Sequence, residues 1–397
     1  MKPIAFLSRG FRPFFLGASV FAMLAMANWM AVYLVHFPLE LNGVNLFQWH
    51  AHEMIFGYAM AVIAGFLLTA AWNWTGRKTA SGTGLAVLFL LWLLARALMM
   101  KGTGLLAWAT AADLAFMAGL AFAVGKPVIQ ARQTRQAPVL LLLTLLAAAR
   151  LLFFLGAEGM VQDGVRIAVH GGLYLVLGMV LFMGRRVIPF FTQRGVGYEV
   201  ELRNERWNDI ATVTVYPLYM FTEILLPYSL VGAILAGALL ILNTLRVMGW
   251  HTMGIWQKPL LWGLFLSFVM INLGFLLRAL MPVTAVPPYL HMHAYAVGGV
   301  GMITLSMMAR VTLGHTGRDI HQAPRVMALI LVGMLLTATI RIFLPLIDSS
   351  HYGLWIGAAG AAWIASFFLF TVVFSPMLLR RRVDEQAEPK PAKPGSE

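Results

Sequence analysis

Residues Tyr289–Gly301 read YLHMHAYAVGGVG and open an apolar stretch with two histidines, His291 and His293, one residue apart. In a helix each residue turns the side-chain direction by about 100°, so these imidazoles point about 200° apart. One helix thereby offers an imidazole to each of two neighbouring sites, whereas a single metal ion favours i, i+4 spacing. The same device recurs at Trp49–Gly57, WHAHEMIFG, with His50 and His52. A third stretch, Arg166–Gly178, RIAVHGGLYLVLG, carries His170.

Around these stretches the chain is apolar. Hydrophobic residues make up 60% of the 397 and charged residues 11%, with a mean hydropathy of +0.78. That composition excludes an ordinary soluble domain and predicts an all-α polytopic membrane protein. A helix that spans a bilayer needs about 20 apolar residues. Twelve such segments follow one another, at roughly 11–35, 48–72, 82–101, 103–124, 137–156, 164–191, 209–227, 229–249, 258–281, 287–312, 324–346 and 352–379.

The formal charge of +13 is spread over short connections and forms no basic domain, so the expected partner is a lipid bilayer and not nucleic acid. Lys2, Arg9 and Arg12 precede the first segment, Arg77 and Lys78 follow the second, and Arg380 to Arg382 end the twelfth. The alternate loops hold almost no basic residues, which places both termini in the cytoplasm. The opening MKPIAFLSRGFRPFF has no small-residue cleavage site and reads as retained. Residues 1–382 form the transmembrane domain, and the Pro-rich polar stretch 383–397 reads as a disordered cytoplasmic tail. Without cysteine there are no disulfides, thiolate ligands or cysteine-bound clusters.

Spacing suggests internal repetition. His52 to His170 is 118 residues and His170 to His293 is 123, each step advancing four segments along the chain. Three four-helix units, with a pseudo-threefold relation, are expected. The five histidines all fall near the outer ends of helices 2, 6 and 10, and imidazole is a good ligand for iron, copper or zinc. A lone intramembrane histidine is usually a structural residue; five at one depth point to metal or haem ligation. His36, His251, His315, His321 and His351 read as loop residues.

Other polar groups sit at the same level. Arg96, Arg150, Arg278 and Arg341 recur on odd-numbered helices, either snorkelling to the interface or pairing with anionic cofactor groups; Arg278 and Arg341 are the preferred pairing candidates. Glu223 is a possible arginine partner or proton carrier. Tyr174 shares a helix face with His170, as packing or as a donor beside a metal. Glu53 lies one turn from His50 and is a candidate to orient it. Asp113 and Asn272 read as structural polars or proton-path members. Glycines near the histidines serve close helix packing or clearance for a flat macrocycle, and tryptophans and tyrosines read as aromatic belts.

Four strings, FRPFFLGA (11–18), WHAHEMIFGYAMAVIAGFLLTA with WNWTG (49–76), GRRVIPFFT (184–192) and HMHAYAVGGVGMITLSMMARVTLGHTGR (291–318), resemble the NnrS family of bacterial membrane proteins. The resemblance covers nearly all twelve segments. It implies a haem- and copper-containing protein of the bacterial inner membrane linked to nitric oxide metabolism and nitrosative stress. More distantly, HMHAY and HEMIF resemble the ligand regions of helices 10 and 2 in haem-copper oxidase and nitric oxide reductase catalytic subunits, and His170 with Tyr174 resembles their helix 6. That resemblance implies His52 and His293 on a low-spin haem, His291 on a second haem, and His170 with His50 on copper, with one or two b-type haems in all. The chain departs at 225–230, LLPYSL, where those subunits carry a further histidine pair.

The expected function is reduction of nitric oxide to nitrous oxide at an outer-leaflet haem or haem–metal centre. Tyr174, Glu53 and Glu223 are then candidate catalytic groups, and a quinol or cytochrome the electron donor. The alternative is binding or sensing of nitric oxide, or protection of cellular iron, without turnover. A secondary transporter is a third class, suited by twelve helices and repeats, but Asp113 is the only midplane acid.

Overall fold

The computed structural model describes residues 5–386. Twelve long helices run in chain order: α1 (Phe11–Val35), α2 (Leu46–Thr75), α3 (Gly82–Met99), α4 (Leu106–Gln130), α5 (Ala137–Ala157), α6 (Gly164–Gly195), α7 (Arg206–Leu225), α8 (Leu230–Trp250), α9 (Pro259–Leu280), α10 (Tyr289–His315), α11 (Val326–Ile347) and α12 (Tyr352–Leu379). Among the described residues eleven are long and apolar enough to cross a membrane. The twelfth, α7, carries Asp209, Thr212, Tyr216, Pro217 and Glu223, which lower its hydropathy without interrupting the helix. The tail expected to be disordered from Val383 begins with a four-residue helix, Val383–Gln386, whose first N–H donates to the Thr316 carbonyl. The rest of that stretch lies outside the described residues.

The histidine-bearing helices form the centre. α2 and α10 are the most buried of the apolar spans, at 83% of an 18-residue apolar stretch in each, and α2, α6 and α10 touch one another with the other nine helices around them. Two interruptions in α2 and α10 sit at matching positions. A π-helical segment occupies Glu53–Ala59 in α2 and Ala294–Gly301 in α10, beginning in each case directly after the second histidine of the H-x-H pair. α6 has no such segment, so the repeat is closest between the first and third units.

Two clusters of buried charge tie the outer helices to this centre. Glu53 accepts from Arg96 at 2.7 Å, Arg96 also donates to Asp113, and Arg150 Nε donates to Asp113 at 2.8 Å, linking α2, α3, α4 and α5. Across the bundle, Arg278 Nε meets both Glu223 oxygens at 2.9 Å, joining α9 to α7. Gly232 makes that second pair possible, because a Cβ there would lie 2.1 Å from Glu223 Oε1. Arg96, Arg150 and Arg278 are therefore ion-paired and buried, not snorkelling.

Small residues and tryptophans do the packing. Gly57 faces Phe21 and Arg96, Gly172 faces Ile55 and Phe56, Gly298 faces Met270 and Gly299 faces Ile271; the space beside these glycines is filled by neighbouring helices. Nor are the tryptophans only a belt. Trp49, Trp92 and Trp363 are buried and donate to the backbone carbonyls of Met99, Gly57 and Ala22.

Removing one member of a buried charge network strands the others, which costs about 3–5 kcal/mol. Asp113→Asn, which leaves Arg96 and Arg150 sharing a neutral amide, is expected to lower stability by about that much. Thermal unfolding of the purified protein in lipid checks this, and an unchanged midpoint would contradict it.

Candidate cofactor cavity

The first turns of α2, α6 and α10 begin at the end of the bundle away from the termini, and there they enclose a cavity of about 790 Å³. This lies within the range of cofactor pockets, about 300–1,000 Å³. His50 from α2, His170 from α6 and His293 from α10 all line it. The H-x-H geometry explains which histidines do. His50 and His293 face the cavity, and their sequence partners His52 and His291 turn to the far sides of their helices, both fully buried.

Local hydrogen bonds fix how two of these rings present themselves. His170 Nδ1 lies 2.8 Å from the Arg166 carbonyl, and His293 Nδ1 lies 2.7 Å from the Tyr289 carbonyl, each one turn back. A carbonyl only accepts, so Nδ1 carries the proton and the Nε2 lone pair is left free. That is the arrangement by which an outer hydrogen bond orients a ligating histidine. His50 differs: its ring packs 4.8 Å from the Trp29 ring and its Nδ1 is buried without a partner.

The cavity is polar at one end and apolar at depth. Asn45, Gln48, Ser349, Tyr289, Tyr352 and Arg341 lie toward the α1–α2, α9–α10 and α11–α12 connections, and Thr337, Val300 and Trp363 lie deeper. Arg341 donates to the Tyr352 hydroxyl at 3.2 Å and its guanidinium packs over Tyr289. Its second terminal nitrogen, Nη1, is buried with no partner, a free donor at the polar end of the cavity. Met26, Met54 and Met292 add thioethers.

The other expected site residues lie elsewhere. His52 does not share the cavity with His293, so the two are not opposed across it. Its Nδ1 lies 2.7 Å from Glu53 Oε1 and its ring packs against Phe153 at 4.3 Å. Glu53 orients His52, therefore, and not His50. Arg278 is held by Glu223 and does not reach the cavity. His291 packs beside Tyr295 at 5.8 Å, with its Nε2 buried and unpartnered. Tyr174 points away from the cavity into a buried cluster with Tyr219 and Tyr295, ring centroids 5.5 and 6.4 Å away. His315 closes α10 and meets Arg9 at 3.1 Å instead of lying in a loop. Among the described residues no three His, Asp or Glu side chains come together around a single ion position.

Sequence reasoning missed the tyrosines and methionines of the wall. His50, Met54 and Tyr58 recur every four residues, a spacing that keeps side chains on one helix face, and all three line the cavity.

Comparison with known families agrees with this architecture. The model of the NnrS family, described as NnrS protein, matches residues 5–382. The chain belongs to the NnrS family. That family is associated with the response to nitric oxide. No curated protein matches the chain.

The geometry separates two histidines that are neighbours in sequence. His52→Ala strips Glu53 of a partner in a fully buried network and is expected to cost about 1–3 kcal/mol, while leaving whatever the cavity binds unaffected. Thermal unfolding together with ligand content checks both parts. Lost ligand at unchanged stability would contradict the assignment.

Proposed function

We propose that the cavity holds a haem and that nitric oxide is bound there and reduced to nitrous oxide. The observation that carries the reading is the meeting of His50, His170 and His293 with Arg341 in one mainly apolar cavity of cofactor size. A bound haem would supply a site for nitric oxide and a one-electron couple, both tuned by the ligating side chain and burial. His293 and His170 are the ligand candidates of this chain, because each keeps its Nε2 lone pair free. His50 supplies a third imidazole from α2.

The free Nη1 of Arg341 suits a carboxylate at the polar end, where a charge-assisted bond forms out of water; Tyr289 and Tyr352 hold that guanidinium in place. Copper, if held here, would draw on imidazole and the soft thioethers of Met54 and Met292. Converting two nitric oxide molecules to nitrous oxide and water takes two electrons and two protons; one quinol carries both, whereas with cytochrome donors two reduced cytochromes supply the electrons and the protons come from water. We place the protein in the bacterial inner membrane with cytoplasmic termini, in keeping with the basic residues at the terminal end.

Reduced-minus-oxidised spectra of the purified protein, with haem and copper quantified and nitric oxide added, test the proposal. Bound haem is expected, with a signal that responds to nitric oxide and nitrous oxide formed when a reductant is present. His293→Ala and His170→Ala should each lower haem or copper content at least tenfold, since a lost ligating group costs 10-fold or more in affinity. Haem that binds nitric oxide without turnover under reducing conditions would replace reduction by binding or protection of cellular iron. Absence of haem would overturn the reading.

A further inference from the structure

The two π segments are joined to each other. Tyr58 lies in the π segment of α2, and Thr304 lies in the turn that follows the π segment of α10. The Tyr58 hydroxyl is hydrogen-bonded to Thr304 Oγ1, and both side chains are buried. Thr304 Oγ1 in turn lies 2.7 Å from the Val300 carbonyl and 2.9 Å from the Gly301 carbonyl, at the end of the α10 segment. A threonine hydroxyl has one proton. Given to those carbonyls, it leaves the oxygen as an acceptor and makes Tyr58 the donor. A directed chain thus runs from one π segment to the other.

The chain matters because of what precedes each segment. A π segment adds a residue to the turn, which rotates the side chains before it by about 100° relative to an uninterrupted α-helix. His50 and His293 both precede their segments, and both face the cavity in the rotated register. Relaxation of either segment to an α-helix would swing its cavity histidine off the wall. The α2 segment also has support of its own. Trp92 donates to the Gly57 carbonyl at 3.0 Å, and the Tyr58 ring is held edge-on by Trp363 and Phe367. Only Tyr58 and Thr304 connect one segment to the other by a side-chain hydrogen bond among the described residues.

We propose that Tyr58 and Thr304 are a positioning pair that locks the two π segments into one register, so that His50 and His293 stay on the cavity wall together. The inference goes beyond the haem reading and holds whatever the cavity binds.

Hydrogen–deuterium exchange of the full-length protein in lipid nanodiscs tests it. Thr304→Val keeps the shape and removes the hydroxyl, and is expected to raise exchange of amides 53–59 on α2 by on the order of tenfold, as well as those of 294–301. Thr304→Ser keeps the hydroxyl and should restore both. Tyr58→Phe should raise exchange of 294–301 on α10, and decides the matter should Thr304→Val fail to fold. Changes confined to the helix carrying the substitution would overturn the proposal. Haem content measured on the same samples keeps the two ideas apart, because coupled exchange in a protein without haem would sink the haem reading and leave this one standing.

Discussion

Two side chains two residues apart on a helix point about 200° apart. The angular step of about 100° per residue forces each H-x-H pair to serve both sides of its helix, and the structure is built around that division. On the inner sides, His50 and His293 join His170 around one cavity. On the outer sides, His52 is bound into the Glu53–Arg96–Asp113–Arg150 network, and His291 lies beside Tyr295 near the Glu223–Arg278 pair. Polar groups at membrane depth are costly, and here each outward cluster is enclosed by the helices that surround α2 and α10.

The same division accounts for the π segments. They begin directly after the second histidine of each pair, where the helix has to turn an imidazole toward the cavity and still pack the residues that follow against α9, α12 and α3. Such segments recur at functional sites. The carbonyls they displace are met by Trp92 and Thr304, so the irregularity is supported by neighbouring side chains.

Much of this was legible in the sequence. Twelve apolar segments, their order and the placement of histidines at one end followed from length and hydropathy, and the resemblance carried by HAHEMIFG and HTGR led to the family. The partition of the histidines was legible only in part. The spacing of His50 and His52 says that they diverge, but which of them faces inward depends on the rotation of α2 against α6 and α10, which no single-helix pattern contains. The resemblance put His52 and His293 on one haem, and the structure gives the two rings different surroundings. Glu223 was legible as a possible arginine partner, but that the arginine is Arg278, 55 residues away, was hidden for a related reason: only packing brings the two helices together. Arg341 is the one of the four recurring arginines that lines the cavity, because it sits where helix α11 leaves the apolar layer.

The central claim is that the inward histidines, and not their sequence neighbours, hold the cofactor. A cryo-electron microscopy map of the protein purified with its native cofactor tests this most directly. The account predicts density in the cavity, against His293 and within reach of His170 or His50, with His52 still bonded to Glu53. Cofactor density against His52, on the α5 side of α2, would contradict it.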